Sequence, residues 1–93
     1  MIVSLRHKGL RLFYETGSAK ALPSEQASKI RRILTAIDEA NDPEEIGLFP
    51  GWRLHPLTGD MQGFWSVTVT GNRRIIFRFA DGDASDLDFI DYH

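Results

Sequence analysis

The apolar positions change period partway along the chain. In the first half they recur at helical spacing. Leu10, Phe13 and Tyr14 fall at i, i+3 and i+4, and Ala27, Ile30, Ile33, Leu34 and Ile37 form a longer stripe of the same kind. Lys29, Arg31, Arg32 and Asp38 fall mostly on the other side of that stripe. In the second half alternation takes over: Trp65, Val67 and Val69 share one face of an extended run, and Ile75, Phe77 and Phe79 share one face of the next. Helices first and strands afterwards predict an α+β domain, two N-terminal helices packed on an antiparallel β-sheet, rather than alternating βαβ units.

Local signals set the boundaries. Ile2 to Leu5 reads as a short opening strand, and the first helix runs from about Lys8 to Thr16, with Gly17 at the left-handed cap position. Pro23 suits the first turn of the second helix, Glu25 complements the positive end of its dipole, and Asn41-Asp42-Pro43 stops it. Glu44 to Gly51 reads as an acidic loop, and Trp52 to His55 as a short strand broken by Pro56. Strands follow at Gly63 to Thr70, Arg73 to Ala80 and Asp86 to Tyr92, the last with Leu87 and Phe89 inward; Asp81-Gly82-Asp83 is a turn.

A register follows from the pattern. A three-residue loop, Thr70-Gly71-Asn72, pairs Val67 with Ile75 and gathers the large apolar residues on one face. A two-residue loop would put Arg74 among them, because a one-residue slip inverts every side chain. The opposite face then carries Phe64, Ser66, Thr68, Arg74 and Arg78 and reads as open.

Composition narrows the class. With 93 residues the chain is expected to be one domain, 1–93, and 42% hydrophobic with 26% charged residues excludes disordered and collagen-like chains. No run approaches the roughly 18 apolar residues of a membrane span. The opening Met1 to Lys8 lacks a cationic segment ahead of a long apolar stretch, so no export signal and a cytoplasmic location are expected. The absence of cysteine excludes a disulfide scaffold, a thiolate metal site and a cysteine nucleophile. The net charge of −2 hides segregation: residues 1–32 hold seven Lys/Arg against two Glu, and residues 33–51 hold five acids and no Lys or Arg. A basic face on an acidic protein is therefore possible.

No phosphate loop, dinucleotide-binding glycine pattern or zinc helix is present. Asp91, His93 and His55 show no recognisable metal spacing, and Asp81-Gly82-Asp83 is too short for a calcium loop. What remains is a set of acid–base and cationic groups: His55 beside Pro56, the closing Asp91-Tyr92-His93, and Arg74 and Arg78 on the second face. Metal-free RNA cleavage needs a base for the 2′-OH, a cation for the phosphoryl oxygens and an acid for the departing 5′-oxygen. Two histidines and an arginine satisfy that list, and Phe64 is placed to stack a base. A surface histidine and a frayed terminus would look the same, so these residues permit such a site without selecting it.

An ordered set of short motifs selects it. Arg6-His7-Lys8-Gly9-Leu10, Leu54-His55-Pro56-Leu57-x-Gly59-Asp60, Gly63-Phe64-Trp65-Ser66-Val67, Asn72-x-Arg74-Ile75 and Asp91-Tyr92-His93 together resemble the HigB toxins of the RelE/ParE superfamily of type II toxin–antitoxin systems. The resemblance implies a ribosome-dependent endonuclease that cuts mRNA in the A site without a metal or other cofactor. It also implies a helix-turn-helix antitoxin of the HigA kind, operator DNA reached only through that antitoxin, no membrane partner and a monomeric free toxin. By position it assigns His55, Asp91, Tyr92 and His93 to the active site and Arg74 to the phosphate. His55 and His93 would transfer protons, Asp91 would orient or act as base, and Tyr92 would position the nucleotide. Thr58 stands where familiar members carry a lysine, a loss that Arg78 or Arg53 would have to offset. Phe64, Arg78, Arg53, Thr58, Lys8 and Arg11 complete the expected RNA-binding set, with the basic N-terminal third as a docking surface. Two other readings fit the same fold, a ParE-like gyrase inhibitor and a non-catalytic antitoxin-binding module acting in operon control. The Asp91-Tyr92-His93 terminus argues against the first.

Overall fold

Helix α1 (Lys8–Thr16) starts on an unusual cap. The Nδ1 of His7 accepts from the backbone N–H groups of Gly9 and Leu10 at 3.1 and 3.2 Å, satisfying two of the donors a helix start leaves unpaired. The same ring packs edge-on against Phe89, with centroids 5.6 Å apart. At the other end Gly17, at φ 80, donates to the carbonyl of Phe13, as its position predicts. Helix α2 (Ala27–Glu39) is entered through a 3₁₀ turn, Ser24–Gln26, that follows Pro23. Its predicted stripe is interior: Ile30, Ile33, Leu34 and Ile37 are buried. Each contributes about 1.5–3 kcal/mol relative to exposure.

The structure is a computed structural model and describes residues 1–91. Its sheet is antiparallel in the order β1 (His55–Pro56), β2 (Trp65–Thr68), β3 (Arg73–Ala80), β4 (Asp83–Asp91). The register of β2 on β3 is the one the apolar pattern demands, with Val67 opposite Ile75 and Trp65 opposite Phe77. The loop closes as Val69 donates to the carbonyl of Arg73 at 2.9 Å. The opening segment is not a full strand. Ile2 and Leu5 bridge Ala84 and Leu87 in parallel, which lays the N-terminus along the free edge of β4. The carboxylate of Asp38 ties that edge to α2, accepting from the N–H of Ile2 and from the hydroxyl of Tyr14, both at 2.8 Å. The helices and one face of the sheet share a single apolar cluster that includes Leu10, Phe13, Ile33, Val67, Ile75, Phe77 and Leu87. No helix among the described residues is long and apolar enough to cross a membrane.

Four expectations need correction. Asp42-Pro43 ends α2 but also starts helix α3 (Pro43–Ile46) inside the supposed acidic loop, with Asp42 capping the N–H of Glu45 and Ile46 buried. Trp52 to His55 is not a strand, because Arg53 sits at φ 50 and breaks the extended run. Trp52 turns inward and stacks on Phe49, ring centroids 4.2 Å apart; its carbonyl accepts from the N–H of Thr68 at 2.7 Å, and the regular ladder begins at His55. The last strand starts at Asp83 rather than Asp86 and absorbs an irregularity between Ile76 and Arg78, with Asp86 at φ 55. Finally, the second sheet face is not open. Phe64, Ser66 and Ile76 are 4%, 1% and 1% exposed, although Phe64 and Ile76 lie outside the apolar cluster shared with the helices.

Two measurements follow. His7→Ala will lower folding stability by about 1 kcal/mol in urea denaturation, and His7→Asp will hold most of it, because the carboxylate can cap the same N–H groups. Burial, followed by the hydrogen bond to Asp38 and its charge, raises the Tyr14 pKa above its ordinary 10.0. The unfolded chain therefore gives up this proton first, and the Tyr14 contribution is complete below that value and lost as pH rises through the folded pKa. Tyr14→Phe will flatten this alkaline part of the stability curve.

Candidate functional site

The site lies on the sheet face turned away from the helices, and the register arranges it in rows. Paired residues of neighbouring strands point to the same side. One row runs His55, Ser66, Ile76, Asp88 across all four strands. A second, two residues along, runs Thr68, Arg74, Ile90. On the other flank Phe64, Arg78 and Asp86 gather with Arg6 from the N-terminal edge. His55 thus stands in the middle row, between two rows that each carry arginine. Strand and residue spacings put its Cα about 12 Å from that of Arg74, within reach of one phosphodiester between two extended side chains.

His55 is exposed, and its ring is aimed by backbone. Its Nδ1 lies 2.8 Å from the carbonyl oxygen of Arg53. A carbonyl can only accept, so Nδ1 carries the hydrogen and Nε2 is the open nitrogen of the neutral ring. His7, whose Nδ1 accepts from two N–H groups, holds the opposite tautomer. The left-handed backbone of Arg53 is what turns its carbonyl to His55, so this residue enters the site through its main chain. Sequence reasoning expected its side chain instead, and a positive φ at arginine leaves no sequence signal.

Arg74 is half-buried on the His55 face, and its Nη1 donates to the carbonyls of Thr70 and Arg73 at 2.7 and 3.4 Å. These bonds to the β2–β3 loop fix the guanidinium at the sheet's end. Asp91 closes β4, exposed, opposite Arg73. The alternation of β4 puts it on the helix side with Phe89, one position beyond the row of Arg74. Tyr92 and His93 lie outside the described residues. Thr58 is exposed at the start of a 3₁₀ turn, Gly59–Met61, and its side chain makes no cap bond. Lys8 and Arg11 are exposed on α1, in the helical layer and not on the face of His55.

Phe64 does not offer a free face to a base. The Arg78 guanidinium lies 4.4 Å from its ring centroid and that of Arg6 lies 5.5 Å away. The aromatic is a floor for two cations. Arg6 entered the sequence reading only as part of a family motif, and neither it nor Asp86 and Asp88 was named there as a site residue. Nothing in local pattern shows that the N-terminal edge of the sheet reaches this face.

With this geometry in place, the comparisons are specific. The family model described as the RelE-like toxin of type II toxin–antitoxin system HigB matches residues 3–93. The Endoribonuclease HigB of Proteus vulgaris is 44% identical over 93 residues, covering the whole of both chains. The Toxin HigB-1 of Vibrio cholerae serotype O1 is 30% identical over 94 residues, covering 100% of this chain and 98% of that one. Among solved structures, a YoeB–YefM toxin–antitoxin heterotetramer from Staphylococcus aureus superposes with TM-score 0.62 at 16% identity, over 100% of this chain and 95% of that chain. YafQ from Escherichia coli gives 0.60 at 14% identity, over 98% and 91%. At such identities these two speak for the fold alone. The family match and the two full-length relatives place this chain among the HigB-like members of the RelE-like toxins of type II toxin–antitoxin systems.

Proposed function

We propose that the chain is an endoribonuclease that cuts mRNA in the ribosomal A site and so arrests translation. The observation that carries this reading is the orientation of His55, whose Nε2 is left open by the bond from Nδ1 to the Arg53 carbonyl, on the face that also bears Arg74. The name of the Proteus vulgaris relative, an endoribonuclease, agrees with it.

The chemistry uses groups in these positions. Nε2 of His55 takes the proton of a ribose 2′-OH, and the 2′-oxygen attacks the adjacent phosphorus. The guanidinium of Arg74, held by the Thr70 carbonyl, neutralises the charge that builds on the non-bridging oxygens. The P–O5′ bond breaks, and the 5′-oxygen takes up a proton from an acid in the terminal Asp91-Tyr92-His93, with His93 as the proposed donor. The products are a 2′,3′-cyclic phosphate and a 5′-hydroxyl. Thr58 supplies no charge, so this face relies on its arginines. The toxin works in the cytoplasm as a monomer when free. It is restrained by a helix-turn-helix antitoxin, through which alone the complex meets operator DNA. The solved YoeB–YefM assembly supports an antitoxin partner.

Two measurements test this. Removal of the base, His55→Ala, will cut mRNA cleavage on translating ribosomes by about 10²–10⁴-fold, and Arg74→Ala by about 10²–10³-fold, with antitoxin binding intact in both. Full cleavage by His55→Ala would overturn the reading. Long-range ¹H–¹⁵N spectra of neutral His55 will show Nδ1 protonated and Nε2 bare; the reverse tautomer would show that the Arg53 carbonyl does not hold the ring.

A further inference from the structure

The cluster at the far flank of the His55 row has no place in the cleavage step. Asp86 meets two guanidinium groups at once: Oδ1 lies 3.9 Å from Nε of Arg6, and Oδ2 lies 3.7 Å from Nε of Arg78. Both arginines lie against the ring of Phe64, itself buried. Gly63 makes the room. It sits at φ 98, and a Cβ built there would fall 2.7 Å from Nη1 of Arg78. The guanidinium therefore rests on bare backbone and the aromatic face together. Both arginine side chains stay about half exposed, at 54% and 48%.

The charge count of this cluster is incomplete. Two guanidinium groups are held side by side around one carboxylate, leaving one positive charge over. Asp86 is reached through Nε on both sides, and among the described residues the Nη groups of Arg6 and Arg78 have no hydrogen-bond partner. Paired guanidinium forks facing solvent match the oxygens of a phosphate. The position is equally specific. Arg78 follows Arg74 by four residues on β3, about 13 Å along the strand, with the row of His55 between them. Arg74 is held at the loop end by the Thr70 carbonyl and Arg78 at the other end by Gly63 and Phe64, so the two guanidinium groups are fixed apart from one another.

We propose that Arg6 and Arg78, tethered by Asp86 over Phe64, form a second phosphate-binding site that grips a non-scissile phosphodiester of the same RNA strand. The site deepens, and rests on, the reading of this face as an RNA-cutting surface. Arg74 holds the phosphate being cut, and the Arg6–Arg78 pair holds the strand on the other side of His55. Asp86 is a positioning residue. It sets the two guanidinium groups at a common spacing from a left-handed backbone position that asparagine also tolerates.

The test reads binding, so it does not depend on cleavage. Fluorescence anisotropy with a labelled single-stranded RNA, 2′-O-methylated so that it stays intact, is measured across a salt series. Arg6→Ala and Arg78→Ala will each weaken binding by about fivefold. The double variant will lower the slope of log K against log salt by about 0.7, the loss of one phosphate on a single strand. Arg74→Ala will lower it by a separate, additive step of about the same size. A fold defect would reduce the active fraction without changing the slope. Asp86→Asn is the sharpest arm. It removes a negative charge from an RNA-binding face, so net charge alone predicts tighter binding, whereas loss of the tether predicts binding weaker by about threefold. Tighter or unchanged binding by Asp86→Asn, an unchanged slope in the double variant, or no salt-dependent binding by the wild-type protein would each overturn the proposal. Cleavage of unmodified mRNA on translating ribosomes by the wild-type protein, scored alongside, reports separately on the nuclease reading.

Discussion

The pairing of β2 with β3 decides what each side of the sheet becomes. With Val67 opposite Ile75 and Trp65 opposite Phe77, one face presents a continuous apolar surface to α1 and α2. A slip of one residue would turn Arg74 and Arg78 into that layer, where an unpaired guanidinium costs several kcal/mol. It would also turn Ile75 and Phe77 out to the other face. The loop reinforces the same choice. Arg73 accepts from Val69 through its carbonyl and donates to the Thr70 hydroxyl through its N–H at 3.2 Å, so turn and core agree on one register. The site inherits its layout from this agreement, since the rows of His55 and Arg74 are the parity the core leaves over.

That leftover face is not simply solvent-facing. Phe64 and Ile76 need cover, and no helix provides it. Over Phe64 it comes from the guanidinium groups of Arg6 and Arg78, and the segment between β1 and β2 is pinned beside it where Leu57 donates to the carbonyl of Phe64 at 2.8 Å. Long cationic side chains can bury an aromatic ring while keeping their charged ends wet. The arginines that pack this face are the ones proposed to grip RNA, and so the face stays both packed and basic.

Periodicity made the helices, the β2–β3 register and the inward set of β4 legible from sequence, because each rests on several residues repeating one spacing. The misreadings fall where a single backbone torsion overrides pattern. Trp52-Arg53-Leu54-His55 has strand composition, yet the left-handed Arg53 sends Trp52 into the core and His55 to the edge. Asp42-Pro43 carries both a stop signal and a start signal, and only the burial of Ile46 shows that the second one also applies. Of the candidate site, His55 and Arg74 were visible as chemistry-bearing residues, Arg74 with its face and His55 only as a strand end beside Pro56. The tautomer of His55 was not, since it depends on a carbonyl two residues away. Arg6 and Asp86 were hidden because their meeting is made by the N-terminus lying along β4, a contact across most of the chain length.

An acidic protein can carry a basic working face if its charges are sorted by layer, and here the sorting is topological. The acids of residues 38–45 belong to the end of α2 and to α3, in the helical layer, and Asp38 is committed to the N-terminal edge. On the sheet face Arg6, Arg74 and Arg78 stand against Asp86 and Asp88, and Asp88 turns one oxygen back to the N–H of Phe89 at 2.9 Å. Among the described residues the balance of these side chains is therefore positive, although the whole chain carries −2. At physiological salt, charges beyond about 8 Å are largely screened. On the proposed reading, an RNA strand lying along β3 would feel the arginines beneath it far more than the acids behind the sheet.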